Sequence, residues 1–212
     1  MQTKAEAQTS KRPTAEPFVP PNPRSIDELR QAARECRGCE LYRDATQTVF
    51  GAGNPHARIV LVGETPGDQE DRQGVPFVGP AGRLLDKAMD EAGIDREATY
   101  VTNAVKHFRF GYKGKRRIHQ TPDRIHIEAC RPWLIAELAL IKPELVVVLG
   151  AVAARSLLGP SFRVTRERGQ VIERDGRKFV ATVHPSAVLR ADDREAAFAE
   201  LVKDLRVAAE AL

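Results

Sequence analysis

A chain of 212 residues with 42% hydrophobic content can bury one substantial core and falls within the size of a single domain. It holds no apolar run near the roughly eighteen residues of a membrane-spanning helix and no apolar stretch of the signal-peptide kind, so a cytosolic protein with no membrane partner is expected. The net charge is only +4 and the pI about 9.1, but residues 109–117 pack five cations into nine positions while acids dominate around Glu64–Asp71, a pattern that suits a polyanion partner.

Residues 1–24 carry five prolines among polar residues, a composition too poor in apolar surface to offset ordering entropy, and read as a flexible leader before a single domain spanning 25–212. Ser25 and Glu28 form a capping-box pattern that opens a helix to about Glu35. Arg58–Val62 reads as a strand, followed by a long loop and an amphipathic helix from Pro80 to Gly93. A second strand is expected over Thr99–Val105, then a long helix over Pro122–Leu140 that Pro132 should bend. Glu144–Leu149 has the composition of a buried strand and Ala151–Leu158 of a helix stopped by Gly159. Phe162–Thr165 and the segments flanking Asp175-Gly176 read as short strands, the Asp-Gly pair marking a hairpin, and Phe179–Val183 as the strand before His184. A last helix covers about Asp192–Ala209. Strands alternating with helices predict an α/β fold, a three-layer α/β/α sandwich with a central, mostly parallel sheet. Ligands then collect beyond the carboxyl ends of the strands, so the loops after Val62, after Val105 and near His184 are candidate sites.

Three cysteines, an odd count, argue against a disulfide framework and for reduced thiols, metal ligands or core packing. Cys36-x-x-Cys39 has a spacing shared by redox sites, zinc sites and chance. Cys130 is distant in sequence, and His107, just after the second strand, is the best candidate for a fourth donor; three cysteines and a histidine suit zinc or an iron–sulfur cluster alike. Gly63-Glu64-Thr65-Pro66-Gly67 would hold a carboxylate in a tight loop at a strand end. Pro76-Phe77-Val78-Gly79-Pro80 sets an aromatic ring between turn residues, a suitable stacking platform for a base, worth about 1–3 kcal/mol. The Asn103 amide can accept from a ring N–H and donate to a neighbouring carbonyl, the pattern that uracil offers. His184-Pro185-Ser186 places an imidazole at a strand end, where it could donate to a departing anion. Lys115, Arg116 and Arg117 read as phosphate-contacting cations that end in His119.

In this order the motifs resemble those of the family 4 uracil-DNA glycosylases: Cys36-x-x-Cys39, Val49–Pro55, Gly63–Gly67, Pro76–Gly79, Thr102-Asn103 and His184–Ser186, a match running from about Cys36 to Leu205. The Lys115–His119 insertion and Ala129-Cys130-Arg131-Pro132-Trp133-Leu134 are most similar to the subgroup called UdgX, in which a histidine bonds covalently to the sugar left after uracil departs. The resemblance implies a uracil-DNA glycosylase-like fold and a 4Fe–4S cluster on Cys36, Cys39, Cys130 and His107. It also implies uracil contacts from Gly63, Thr65, Phe77 and Asn103, DNA contacts from Lys115, Arg116, Arg117 and Ser186, and catalysis by His119, Glu64 and His184. Thr65 stands where this subgroup has glutamine.

The expected reaction is excision of uracil from DNA, single-stranded by preference because unstacking costs least there, by a monomer that ends attached through His119 to C1′. The rival expectations are a conventional multiple-turnover glycosylase with His119 uninvolved, and a non-catalytic nucleic-acid-binding module with a structural zinc.

Overall fold

The computed structural model describes residues 12–212. Six strands form the main sheet: β1 (Ala52–Gly53), β2 (Ile59–Gly63), β3 (Tyr100–Asn103), β6 (Leu145–Leu149), β7 (Val171–Arg174) and β8 (Arg177–Thr182). Their order is β1-β3-β2-β6-β8-β7, with β3, β2, β6 and β8 mutually parallel and the two edge strands antiparallel. The sheet is buried on both sides, and its side chains alternate accordingly. Val60, Val62, Val146 and Val148 face one apolar layer, packed on α1 (Ile26–Ala33), α4 (Arg124–Ile141) and α5 (Gly150–Leu158). Leu61, Leu145, Val147 and Leu149 face the other, packed on α3 (Pro80–Glu91) and α8 (Arg194–Glu210). This is the expected three-layer α/β/α sandwich, because only strands covered on both faces carry near-continuous apolar runs. No helix among the described residues is long and apolar enough to cross a membrane.

Local signals set several boundaries. Ser25 Oγ accepts the Glu28 N–H while a Glu28 carboxylate oxygen accepts the Arg24 N–H, so the predicted capping pattern starts α1. Asp175 and Gly176 both adopt positive φ, 51° and 72°, the conformation that a two-residue β7–β8 hairpin demands. α4 continues as one helix through Pro132.

Six segments depart from expectation. The leader's first eleven residues lie outside the described residues, but the rest of it is not free of the domain. Glu16–Phe18 forms a 3-10 turn, buried Ala15 donates its N–H to Ala129 O at 2.7 Å, and a Cβ on Gly38 would come within 2.7 Å of Ala15, so two small residues let this segment close over α4. Phe162–Thr165 is not a strand. Glu167 accepts the Arg163 N–H at 2.6 Å, and this local cap favours the helical turn α6 (Val164–Glu167) over β-propensity. The second strand stops at Asn103, two residues early, where Ala104 and Val105 donate instead to Gly63 O and Glu64 O. The long loop after β2 contains α2 (Asp68–Gln73), and His184 begins a short α7 (Pro185–Leu189). The basic insertion is a two-stranded hairpin, β4 (Phe110–Lys113) with β5 (Arg116–His119), turning at Gly114 with φ 62°.

Beneath the functional edge of the sheet lies a buried ion pair. Lys106 Nζ donates to Glu137 Oε2 at 2.5 Å, to Thr102 Oγ1 at 2.6 Å and to the Asn103 carbonyl at 2.8 Å, while Tyr100 and Thr102 donate to Glu137. Both side chains are almost wholly buried. Removing one partner strands the other charge, so Glu137→Leu is expected to cost about 3–5 kcal/mol in urea unfolding. The double variant Lys106→Met/Glu137→Leu should recover most of it. A loss below about 1 kcal/mol for the single variant would show that the pair does not hold α4 to the sheet.

Candidate active site

Parallel strands deliver the candidate residues to one edge. β2 ends at Gly63 and β3 at Asn103, side by side in register, and β8 leads through Val183 to His184. A cleft of about 760 Å³ opens there, lined by residues that include Thr65, Phe77, Asn103, His119 and His184, and beside it lies a smaller cavity of about 270 Å³ bounded by Glu64, His119, Thr121 and Arg190. The carboxyl ends of the strands, the loop after them and the hairpin thus converge on one space, as the topology predicts.

Gly63 is the floor. A Cβ there would overlap the Asn103 carboxamide oxygen and come within 2.6 Å of the Phe77 ring, so only glycine lets the amide and the aromatic ring meet across the strand end. Phe77 has φ 60°, a left-handed conformation that is strained for a bulky residue and that aims the ring into the cleft. Its ring lies 6.3 Å from that of His184 with an interplanar angle of 28°. Both rings line the cleft.

His184 caps α7 with its own ring: Nδ1 accepts the Ser186 N–H at 3.2 Å and lies 2.8 Å from Ser186 Oγ. A backbone donor at Nδ1 assigns the ring proton to Nε2, which leaves Nε2 as a donor. Burial, aided by the neighbouring His119 and Arg190, pushes the His184 pKa down to about 4, so the ring is neutral at physiological pH. Ser186 thus orients His184.

The hairpin brings His119 to the opposite wall. His119 Nε2 stands 3.8 Å from Glu64 Oε1, beyond hydrogen-bond reach, and Glu64 Oε1 is buried without a hydrogen-bond partner among the described residues. Burial raises the Glu64 pKa, against an opposing hydrogen bond from Thr121 and the charge of Arg190. The His119 side chain is 45% exposed at the cleft mouth, yet its neighbours desolvate the ring enough to lower its pKa, with Arg190 acting in the same direction. The His119 imidazole therefore faces the Glu64 carboxyl group at 3.8 Å.

The three cations of the insertion divide. Lys115 and Arg116 are exposed on the cleft wall, free of ion pairs among the described residues. Arg117, expected to touch phosphate, is only 11% exposed; its guanidinium donates to Asp68 at 2.6 Å and Asp71 at 2.7 Å on α2, and lies over the rings of Phe108 and Phe110. It anchors the hairpin instead. Thr65 also differs from a simple pocket residue, because its hydroxyl donates to the His107 carbonyl at 2.9 Å. Asp68, Asp71, Thr121 and Arg190 were not singled out from sequence; the pairing of an acidic stretch at 64–71 with the basic one at 109–117 was the available signal for the first two.

The three cysteines are buried and unbonded to one another. Trp133 Nε1 donates to Cys36 Sγ at 3.2 Å and the Lys106 N–H to Cys130 Sγ at 3.3 Å. Burial raises the Cys39 thiol to about 11 and Cys130 to about 12, and the charge of another cysteine raises each further. Burial holds His107 down at about 4 and hence neutral, with Nε2 2.9 Å from Thr48 Oγ1. Among the described residues no three histidine, cysteine or acidic side chains form a group that could hold a single metal ion.

Residues 50–206 match the family described as "Uracil DNA glycosylase superfamily". The chain is similar to a type-4 uracil-DNA glycosylase of Thermotoga maritima, 38% identical over 76% of this chain and 82% of that protein. It is also similar to type-4 uracil-DNA glycosylases of Archaeoglobus fulgidus, 38% identical over 78% and 83% of the two chains, and of Pyrobaculum aerophilum, 33% identical over 85% and 91%. With the predicted fold in place and its family model and relatives matched, this chain belongs to the uracil-DNA glycosylase superfamily.

Proposed function

We propose that the protein excises uracil from DNA, preferentially single-stranded, and that His119 then captures the sugar. The observation that carries the second step is the His119 imidazole held 3.8 Å from a buried, unpartnered Glu64 oxygen, in a cleft that Phe77 and His184 also line.

A uridine must leave its stack to be reached, which costs least on a single strand. Phe77 then stacks on the base, while Asn103 reads its edge. As the C1′–N1 bond breaks, its electron pair departs with uracil, and the His184 Nε2–H donates a hydrogen bond to the resulting anion; the sugar acquires oxocarbenium character. The His119 Nε2 lone pair forms the new bond to C1′, and the imidazolium so made loses its Nδ1 proton to solvent. Glu64 lies where its negative charge stabilises both the sugar cation and the imidazolium in a partly dry site. A tethered imidazole outcompetes water through its effective concentration. Lys115 and Arg116 supply exposed charge for the flanking phosphates.

We further propose that Cys36, Cys39, Cys130 and His107 hold a 4Fe–4S cluster. Buried thiols that already receive N–H donors, beside a neutral imidazole, suit a cluster, whose several irons do not require ligands to converge on one point as a zinc ion does. When bound, the cluster would supply a cross-link between the segment after α1, the exit of β3, and α4.

Three outcomes are expected. Incubation with a labelled single-stranded uracil oligonucleotide gives a denaturant-resistant adduct, and His119→Ser abolishes the adduct while uracil is still released; free uracil with no adduct from the parent chain identifies a conventional turnover enzyme. Adduct formation is flat with pH down through 6.5, the ordinary imidazole value, because His119 is lowered; it falls below that as His119 and Glu64 gain protons, and is lost near pH 4, where a proton on His184 Nδ1 removes the acceptor for the Ser186 N–H that orients the ring. A rate that already halves above pH 6.5 would contradict a desolvated His119 nucleophile. Purified protein carries iron and inorganic sulfide with visible absorption, and Cys130→Ala loses both along with thermal stability; a colourless, equally stable parent chain refutes the cluster.

A further inference from the structure

Glu70 is a carboxylate that the proposed chemistry does not use, although it is buried and lies on the cleft wall. Its two oxygens are divided between two loops: Oε2 accepts the Gly67 N–H at 3.1 Å and Oε1 accepts the Gly79 N–H at 2.7 Å. Gly67 closes the loop that carries Glu64 and Thr65, and Gly79 closes the segment that carries Phe77. A Cβ on Gly67 would stand 2.7 Å from Oε2 and one on Gly79 2.9 Å from Oε1, so both loops approach the carboxylate as closely as glycine alone permits.

Phe77 lies between these fixed points with φ 60°. A bulky residue stays in that conformation only where its surroundings over-determine it. On one side Gly82 in α3 leaves room that a Cβ would take from the Phe77 carbonyl; on the other, two residues along the chain, is the Glu70–Gly79 hydrogen bond. We infer that Glu70 is a positioning residue for base recognition: its carboxylate clamps the Glu64 loop to the Phe77 loop and keeps the Phe77 ring in the conformer that receives the base. This rests on the uracil-excision reading above. Glutamine has a similar shape but can offer only one oxygen, and its amide group would meet the other glycine N–H donor to donor.

The test is single-turnover uracil release from a labelled single-stranded oligonucleotide across a range of enzyme concentrations, at a temperature where circular dichroism shows each protein folded. Because the ring binds the base in ground state and transition state alike, Glu70→Gln is expected to raise the half-saturating concentration about tenfold and to change the maximal rate by less than about threefold. In a Phe77→Ala background the same substitution should add less than about twofold, since both act through one contact. Gly79→Ala, whose φ of −80° accepts a side chain, presses on Oε1 while keeping the acid and should shift half-saturation in the same direction. An unchanged half-saturation in folded Glu70→Gln and Gly79→Ala, or losses that multiply in the Phe77→Ala background, would overturn the clamp and leave the activity standing. A parent chain that releases no uracil would instead remove the activity on which the clamp rests.

Discussion

The Arg117 guanidinium joins the basic hairpin to α2 through Asp68 and Asp71, and it sits over the rings of Phe108 and Phe110, so its charge is engaged on two sides. Without that anchor β4 and β5 would be an isolated two-stranded ribbon, which is marginal in water by itself. With it, the hairpin becomes a wall of the cleft. Phe110 pairs with His119 across the ladder and Phe108 packs near the same ring, so the imidazole is carried to within 3.8 Å of Glu64 rather than swinging with a loop. The placement of His119 against Glu64 therefore depends on an ion pair well outside the cleft's floor.

The remaining parts of the site are held by backbone rather than by long side chains. Strand ends supply Gly63 and Asn103 in register, a ring-capped helix supplies His184, and a left-handed residue supplies Phe77. Each device is rigid because its alternatives are crowded: a methyl group at position 63 would displace the amide, and a turned His184 would lose the Ser186 N–H. Beneath them Lys106 ties the Asn103 carbonyl to Glu137 on α4, and its own N–H donates to Cys130. The strand end that carries Asn103 and the cysteine-bearing helix therefore share one buried network.

The fold was readable because a doubly covered parallel sheet leaves a strong trace: short apolar strands, long helices and punctuating glycines in alternation. The strand ends were equally legible, since the topology says where ligands gather, and Glu64, Phe77, Asn103, His119 and His184 do meet there. What local pattern could not show was pairing at a distance. Arg117 looked like a phosphate contact because its partners, Asp68 and Asp71, lie some fifty residues away in a stretch that read as loop. Phe162–Thr165 looked extended because propensity is blind to the cap that Glu167 provides. The part of the proline-rich leader that packs does so through Ala15 and Gly38, two small residues whose contact no composition argument reveals.

Capture by His119 is tested most directly by finding the bond itself. After reaction with a uracil-containing oligonucleotide, nuclease trimming and trypsin cleavage at Arg117 and Arg124, the peptide Ile118–Arg124 contains His119 as its sole imidazole. Fragmentation mass spectrometry is expected to place a deoxyribose phosphate remnant on that residue. A remnant on Glu64 or on a lysine, or an unmodified Ile118–Arg124 peptide in a sample that has released uracil, would contradict the account.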